Sequence, residues 1–373
     1  MLLPPFKIED FFARYEFTTP YMLGSSDPES HSLAELLAMA NSEDRQLWDN
    51  LRLGYTESQG LPLLRQEIAQ LYQLENADNC LVFSGAEEGI FVAMQVLLQA
   101  GDHVVVLTPC YESLKVLPKA ISSNVTEFSL DWQDGGWSFN LERFSQVVTK
   151  ETRLVIINFP HNPTGFQPTQ ELFHEILAVV RNSGAYLFSD EVYRFSEQSV
   201  AERLPAAADC YDKALSLGVM SKSFGLPGLR IGWVAAQDQV LLQRLAAYKN
   251  FTTICNASPS EILALIALKN KDQILQRNRD IAKHNLDLLD EFFQQYPDVY
   301  SWYRPRAGFI AFPRLKLLMN INAFTEKLAQ EEGVLLLPGS LFDDRNNHFR
   351  LGFGRVNLPE ALLRLERFTR KMN

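Results

Sequence analysis

Residues 219–233 read VMSKSFGLPGLRIGW and place a lysine directly after an apolar stretch. The residues that lead into it, ALSLGVM (214–220), are almost all apolar or small, which is typical of a strand buried on both faces. The strand ends at Ser221-Lys222-Ser223, and a glycine-containing turn leads to Arg230 and a second apolar run. Because lysine is almost never fully buried without a partner, this segment indicates a polar site at the end of a core strand.

Similar apolar segments recur through the middle of the chain and alternate with helical patterns. A helix is predicted after SGAEEG (84–89), over IFVAMQVLLQA, and another at about 169–182. Strands are predicted at 81–84, 103–107, 125–130, 152–160, 185–190 and 214–221. This alternation predicts an α/β fold in three layers, a mostly parallel sheet with helices on both faces.

The pattern changes near residue 238, where the chain becomes rich in Leu, Gln, Lys and Asp. Long helical patterns are predicted over 238–270 and 273–296, short strands over 308–312, 334–338 and 348–353, and a last helix at about 358–371. These elements predict a smaller α+β unit. The first 40 or so residues have no apolar core of their own, so we expect them to pack on one of the two units.

The composition favours a small-molecule enzyme. The chain has 373 residues, 46% of them hydrophobic, and a net charge of −10, which opposes binding to nucleic acid or to an anionic membrane. The four cysteines form no CxxC pair, which is typical of reduced thiols in a cytoplasmic protein. The N-terminal residues do not form a signal peptide, and no apolar run approaches a membrane span, so we expect a soluble cytoplasmic protein.

Polar side chains follow five of the predicted strands, at the point where each strand ends. Ligands of an open parallel sheet bind beyond the carboxyl ends of its strands, so we expect these side chains to meet at one edge. The residues concerned are Ser84-Gly85-Ala86, Pro109-Cys110-Tyr111, Asn162-Pro163-Thr164-Gly165, Asp190 with Tyr193, and Ser221-Lys222-Ser223.

Each of these features alone has an ordinary structural explanation. NPTG is a common tight turn, a lone aspartate often caps a helix, and a lone lysine is usually solvated. The glycines at 225, 228 and 232 do not form a dinucleotide fingerprint, because proline and arginine interrupt them and no helical pattern follows at once.

The combination is more informative, because it meets the needs of pyridoxal 5′-phosphate. An amine such as that of Lys222 forms an imine with the aldehyde of this cofactor. A carboxylate such as that of Asp190 keeps the pyridine nitrogen protonated, and the phenol of Tyr193 can bond the ring oxygen. Backbone N–H groups at a helix start, hydroxyls and an arginine suit the phosphate.

The chain resembles the class I/II aminotransferases, which are pyridoxal-phosphate enzymes of fold type I. The matching motifs span most of the chain and follow the order of that family. They are YTESQGLPLLRQEIA (55–69), SGAEEGI (84–90), HNPTG (161–165), SDEVYR (189–194), SKSFGLPGLRIGW (221–233) and FRLGFG (349–354).

The resemblance implies a role for each matching residue. Lys222 would carry the cofactor and shuttle a proton, with Asp190 on the pyridine nitrogen and Tyr193 completing the catalytic set. Arg350 would bind the substrate carboxylate, where a planar bidentate fork is suited to the task. The implied cofactor contacts also include Tyr111 stacked on the ring, Asn162 on the ring oxygen and the substrate carboxylate, and Gly85, Ala86, Ser221, Ser223 and Arg230 on the phosphate.

The resemblance also implies an architecture. It suggests a large cofactor-binding domain over 41–275 and a small discontinuous domain, 1–40 with 276–373, that closes over the substrate. It further implies a homodimer, in which Tyr55 reaches the phosphate of the partner site. Gly24 and Ser25, within MLGSSDPES (22–30), are candidates for the turn that covers the substrate.

Glu87 departs from the family pattern, in which small hydroxyl residues are frequent at positions 86 and 87. It is interpreted either as a helix cap or as a partner for a basic substrate side chain, and the sequence leaves both open.

Transamination between an amino acid and a 2-oxo acid is the main functional prediction. One alternative is an enzyme with the same cofactor and a different reaction, either a lyase or an elimination–cyclisation enzyme of specialised amino-acid metabolism. Another alternative is a regulator that uses this fold as a ligand sensor, which the acidic charge and the lack of an added N-terminal module disfavour. The sequence does not identify the substrate.

Overall fold

The computed structural model describes residues 2–74, 76–133 and 136–372. Its helices are α1 (Lys7–Tyr15), α2 (Leu33–Ala38), α3 (Ser42–Asp49), α4 (Pro62–Ala69), α5 (Ala86–Leu97), α6 (Ser113–Ser122), α7 (Leu141–Val147), α8 (Gln170–Ser183), α9 (Ala207–Cys210), α10 (Gln239–Lys249), α11 (Ser258–Lys269), α12 (Lys271–Gln295), α13 (Ile321–Glu332) and α14 (Leu358–Met372). Its strands are β1 (Cys80–Phe83), β2 (His103–Thr108), β3 (Asn124–Ser129), β4 (Asp131–Gln133), β5 (Gly136–Ser138), β6 (Thr152–Asn158), β7 (Tyr186–Asp190), β8 (Ala214–Val219), β9 (Gly232–Ala236), β10 (Tyr300–Ser301), β11 (Ile310–Ala311), β12 (Arg314–Leu315), β13 (Leu337–Pro338) and β14 (Phe349–Gly352).

A seven-stranded sheet forms the centre of the molecule, in the order β1-β9-β8-β7-β6-β2-β3. Only β9 runs antiparallel to its neighbours among these strands, so the sheet is mostly parallel. Side chains alternate between its faces, since Val104 and Val106 join one apolar core while Val105 and Leu107 join another. Helices pack on both faces, and the predicted three-layer α/β fold is therefore confirmed.

The predicted strands of this sheet lie within two residues of the observed ones. The sequence did not identify β9 as a strand, although it follows the turn after Lys222 and inserts between β1 and β8. The single helix predicted over 238–270 was wrong, because residues 250–257 separate α10 from α11. Ile254 there adopts a left-handed backbone conformation (φ +67°), which a continuous helix does not allow.

The C-terminal elements form a smaller layer beside the main sheet. β11, β14 and β13 pair as a three-stranded antiparallel sheet, and α12, α13 and α14 pack around it. Part of the N-terminal segment joins this layer, since Leu23 O accepts a hydrogen bond from Gly352 N and Gly354 O accepts one from Glu29 N. Ile8 of α1 and Leu36 of α2 instead lie in apolar cores that include residues of the main sheet. The domain boundaries themselves stay a prediction, and their outermost residues, Met1 and Asn373, lie outside the described residues.

The turn between β8 and β9 is packed tightly against the start of α5. A Cβ atom on Gly232 would lie 2.7 Å from both Ala86 N and Gly85 C, which are backbone atoms that have little freedom to move. The absence of a side chain at 232 therefore brings two of the predicted polar segments, 84–86 and 221–230, side by side.

This close approach predicts different effects for two glycines of one turn. Gly232→Ala should lower the free energy of unfolding by about 1–3 kcal/mol, because the added methyl group has to displace backbone. Gly228→Ala is the control, since its Cβ would meet no atom within 4 Å, and a change below about 0.5 kcal/mol is expected. Urea unfolding of both variants measures the difference, and equal effects would contradict the proposed constraint.

Candidate active site

Lys222 follows β8 at the carboxyl edge of the main sheet. Its Nζ donates a hydrogen bond to Ser26 Oγ at 2.8 Å, and the side chain is half-buried. Burial lowers the pKa of this amine, a trend that nearby Asp27 and Asp190 oppose and that Arg350 reinforces. A lysine with a depressed pKa is more often neutral near pH 7 and is therefore a better nucleophile and base.

Asp190 ends the neighbouring strand, β7, and is buried beside Lys222. Its Oδ1 accepts a hydrogen bond from Val192 N at 3.2 Å. Burial raises the pKa of Asp190 to about 7, although the Val192 bond and Lys222 act in the opposite direction. The neighbouring groups thus do not fully stabilise the charged form of Asp190, and a cation placed against the carboxylate would favour that form.

Tyr193 and Asn162 lie close to this pair. The Tyr193 hydroxyl is fully buried beside Ser26 and has no well-formed hydrogen bond to any described residue. Asn162 follows β6, where its backbone N–H donates to Asn158 Oδ1 at 2.7 Å. A buried phenol without a partner is costly, so its position indicates that a ligand supplies the missing bond.

Arg350 lies on β14, in the smaller layer, and is almost completely buried. Its guanidinium donates to Asn162 Oδ1 at 3.2 Å and to Gly24 O at 2.9 Å, and Phe342 covers it. Burial lowers the pKa of this guanidinium, but arginine remains charged throughout the working pH range. These hydrogen-bond acceptors are neutral, so the site retains an unmatched positive charge that suits a carboxylate.

A concave backbone segment lies at the start of α5. Gly85 has φ +97°, and a Cβ atom there would lie 2.7 Å from Arg230 Nη2, so the arginine and the helix start adjoin. Ala86 is the first residue of the helix, where N–H groups lack helical partners. Ser221 is half-buried nearby, whereas the buried Ser223 hydroxyl contacts Val192 O at 3.4 Å. A helix N-terminus next to an arginine is suited to a phosphate.

Tyr111 lies close to two acidic residues, Glu9 and Glu87. Its hydroxyl donates to Glu9 Oε1 at 3.2 Å, and its ring packs against Phe6. Glu87 accepts a hydrogen bond from Ser113 Oγ, while its Oε2 is buried without a partner among the described residues. Burial raises the pKa of Glu87, and Glu9 adds to the effect.

The structure brings together nearly all of the residues predicted from the sequence. Gly24 contacts Arg350 through its carbonyl, as the candidate turn over the substrate requires. Tyr55 is the exception within one chain, because its side chain is 91% exposed. The sequence reading missed Ser26, Asn158 and Glu9. Asn158 ends a predicted strand and was detectable as a polar strand end, whereas the other two carry no local signal.

The site fits pyridoxal phosphate on structural grounds. Each of three features suits one group of this cofactor. The Tyr193 hydroxyl, which lacks a partner, suits the ring oxygen, and the buried Asp190 carboxylate suits the ring nitrogen. The concave segment between Gly85 and Arg230 suits the phosphate. The described residues contain no cluster of metal-ligating side chains, and no described helix is long and apolar enough to cross a membrane.

The raised pKa of Asp190 predicts a pH-dependent stability for the cofactor-free protein. Between the ordinary value of 3.8 and about 7, the folded chain retains a proton that the unfolded chain has released, so stability falls as the pH rises. The loss is about 4 kcal/mol at 1.36 kcal/mol per pKa unit. Asp190→Asn lacks this loss, and should become more stable than the natural protein by that amount between pH 4 and 7. Urea unfolding across this range tests it, and a difference that does not vary with pH would contradict the assignment.

Comparisons with known proteins agree with this site. The family model for aminotransferase class I and II matches residues 21–364. The capreomycidine synthase of Streptomyces vinaceus is 30% identical over 356 residues, which cover 94% of this chain and 90% of that protein. An aspartate aminotransferase of Sulfurisphaera tokodaii is 25% identical over 332 residues, covering 84% of this chain and 82% of that protein.

Two solved structures match the entire chain. A PLP-dependent aminotransferase from Streptococcus suis superimposes with a TM-score of 0.94 at 32% identity, covering 100% of this chain and 99% of the other. The PLP-dependent cyclase OrfR superimposes with a TM-score of 0.91 at 28% identity and the same coverage. The chain therefore belongs to the class I and II aminotransferase family and uses pyridoxal 5′-phosphate as its cofactor.

Proposed function

We propose that this enzyme transfers an amino group from an α-amino acid to a 2-oxo acid, with Lys222, Asp190 and Tyr193 as its catalytic residues. The observation that carries the proposal is the pairing of a lysine of lowered pKa with a buried aspartate of raised pKa, beside a buried arginine. When bound, pyridoxal phosphate supplies an electron-withdrawing ring that acidifies the Cα–H bond of an attached amino acid.

Three groups of residues would hold this cofactor, one for the ring nitrogen, one for the ring and its oxygen, and one for the phosphate. Asp190 would bind the ring nitrogen, and its burial makes the charge interaction strong. Tyr193 and Asn162 would bond the ring oxygen, and Tyr111 would stack on the ring. Gly85, Ala86, Ser221, Ser223 and Arg230 would bind the phosphate, of which Ser223 requires a turn of its hydroxyl away from Val192.

Lys222 would act as general base once the substrate has replaced it on the cofactor. Its lowered pKa leaves a neutral amine able to take the proton from the substrate Cα and later return it. Ser26, which accepts a hydrogen bond from Nζ, would orient the amine during this exchange.

Arg350 would position the substrate through its α-carboxylate. Asn162 and Gly24 already hold the guanidinium in place, so the side chain of Arg350 would lose little conformational freedom when the substrate binds. Because Gly24 belongs to the N-terminal segment, this segment would close over the substrate together with the C-terminal layer, as a small domain of 1–40 and 276–373 against a large domain of 41–275.

A homodimer would complete the site. The exposed Tyr55 has no role within its own chain, and exposed apolar side chains at Leu53 and Phe251 offer a surface that a second copy would cover. Tyr55 would then reach the phosphate in the partner site. We further propose a cytoplasmic location, which suits the four unpaired thiols.

A single-turnover screen tests the proposed reaction. Enzyme loaded with the cofactor is mixed with each amino acid, and loss of the Lys222-dependent absorbance band is recorded together with release of a 2-oxo acid. Lys222→Ala should lower the rate by about 10⁴-fold or more, because it removes both the attachment point and the base. Arg350→Lys, in contrast, should raise KM at least about tenfold with a smaller effect on kcat, since it loses the bidentate fork. Ammonia release without a 2-oxo acid acceptor would overturn transamination.

An elimination–cyclisation reaction is the second candidate function. It is favoured by the acidic group formed by Glu9 and Glu87, which faces the same space as Lys222 and Arg350 and would suit a cationic substrate side chain. Among the similar proteins, one is named a capreomycidine synthase and another, OrfR, is named a PLP-dependent cyclase. Both candidates use the same lysine and aspartate, so the product decides between them.

Substitution of Glu87 tests the preference for a cationic side chain. Glu87→Gln should raise KM at least about tenfold for amino acids with a basic side chain and leave neutral amino acids nearly unchanged, because only the former lose a charge partner. Glu291→Gln, an exposed residue on α12, is the charge-matched control. A uniform effect on both substrate classes would show that Glu87 only caps the helix.

A further inference from the structure

The loop of residues 55–61, here called the Tyr55 loop, is exposed at its tip and anchored at its base. Tyr55 is exposed, but three residues beneath the loop, Lys249, Asn256 and Glu261, are at most 4% exposed. We call these three residues the buried polar network. They lie at the end of α10, in the segment that interrupts the helical pattern, and in α11, outside the set of catalytic residues described above.

Each member of the network holds a different point of the Tyr55 loop. Lys249 Nζ donates to Ser58 O at 2.5 Å, Glu261 Oε1 accepts from Leu61 N at 3.2 Å, and Asn256 O accepts from Thr56 Oγ1 at 3.2 Å. Gly60 completes the turn with φ +107°, where a Cβ atom would lie 2.5 Å from the Val82 side chain. The loop is therefore fixed in one conformation from below.

The other side of the network reaches the concave segment at the start of α5, next to Arg230, which we call the phosphate cradle. Asn256 Nδ2 donates to Glu261 Oε1 at 2.8 Å, while Asn256 Oδ1 accepts from Ser84 Oγ at 3.4 Å. Ser84 directly precedes Gly85, and its backbone N–H donates to Glu88 Oε2 at 2.6 Å. Glu88 in turn accepts a bond from Thr253 Oγ1 at 2.7 Å, so the 250–257 segment and the cradle are joined at two points.

Burial of the charged groups of this network costs free energy, and its structural role alone does not explain that cost. Burial lowers the pKa of Lys249 and raises that of Glu261, so both ionised groups are held at a penalty. Glu261 Oε2 also lacks a hydrogen-bond partner among the described residues. Apolar side chains would pack a helix interface without these penalties, so the polar groups indicate a demand for defined geometry.

We propose that Lys249, Asn256 and Glu261 are positioning residues that couple cofactor binding to subunit association. The network would hold the cradle at Ser84–Gly85 and the Tyr55 loop in fixed relative positions, so that Tyr55 meets the phosphate bound in the partner site. Because coupling between two binding events is reciprocal, association would tighten cofactor binding by the same factor. The inference rests on the proposed dimer and its cofactor.

The coupling is measured as the ratio of two dimer dissociation constants, without and with saturating pyridoxal phosphate. Fluorescence-detected sedimentation of labelled full-length protein covers the necessary dilution range. We expect a ratio of about ten or more for the natural protein. In Glu261→Ala, which removes the acceptor shared by Leu61 and Asn256, the ratio should fall to nearly one. Glu261→Gln keeps an Oε1 acceptor and should restore it.

Two further variants separate positioning from general stability. Asp44 is as buried as Glu261, and its carboxylate accepts a hydrogen bond at 2.6 Å from Lys269, which lies on α11 as Glu261 does. Asp44→Ala should therefore lower the melting temperature but keep the full ratio. Thr56→Val removes a single contact to Asn256 O and should lower the ratio about threefold, which preserves the test if Glu261→Ala does not fold.

The outcomes distinguish this inference from the proposed function. A natural protein that never develops the absorbance of cofactor bound to Lys222 would overturn the proposed function itself. If the cofactor binds and the dimer forms, but Glu261→Ala or Thr56→Val retains the natural ratio, the coupling role alone is refuted. An equal loss in Asp44→Ala would also refute it, because destabilisation of α11 would then explain the effect.

Discussion

The burial of the Asp190 carboxylate is the constraint on which the rest of the site depends. Removal from water raises the free energy of its charged form, and Lys222, the cation that opposes this effect, is itself partly withdrawn from water. The parallel sheet makes this arrangement possible, because backbone hydrogen bonds hold β7 and β8 in place even though the side chains at their ends are in an unfavourable environment. Under the proposed function, a protonated pyridine ring would offset this free-energy cost by supplying the missing positive charge.

Under the proposed function, substrate recognition would involve two layers of the structure that meet at Arg350. The guanidinium comes from β14, while its acceptors come from β6 by way of Asn162 and from the N-terminal segment by way of Gly24. A substrate carboxylate on Arg350 would therefore be held by a side chain whose position depends on three distant parts of the chain. Glu9 and Glu87 lie near Tyr111, and the charge of Glu9 also acts on Arg350.

Local signals were sufficient to predict most of the fold and the centre of the site. Strands that are apolar throughout, and polar residues such as Asp190 and Lys222 at their ends, can be identified from neighbouring letters. β9 was missed because its antiparallel insertion between β1 and β8 depends on distant partners. Arg350 was identified only through the family resemblance, and Ser26 and Glu9 remained hidden, because their significance arises from contacts with residues 102 to 326 positions away in the sequence.

The joining of the two chain ends has a consequence for protein synthesis. Leu23, Gly24 and Glu29 pair with residues 350–354, which leave the ribosome about three hundred residues later. Until then, residues 23–29 lack the strand with which they pair, while the strands of the main sheet can already assemble. Under the proposed function, a chain released early would contain Lys222 and Asp190 but not Arg350, and would therefore lack its anchor for a substrate carboxylate.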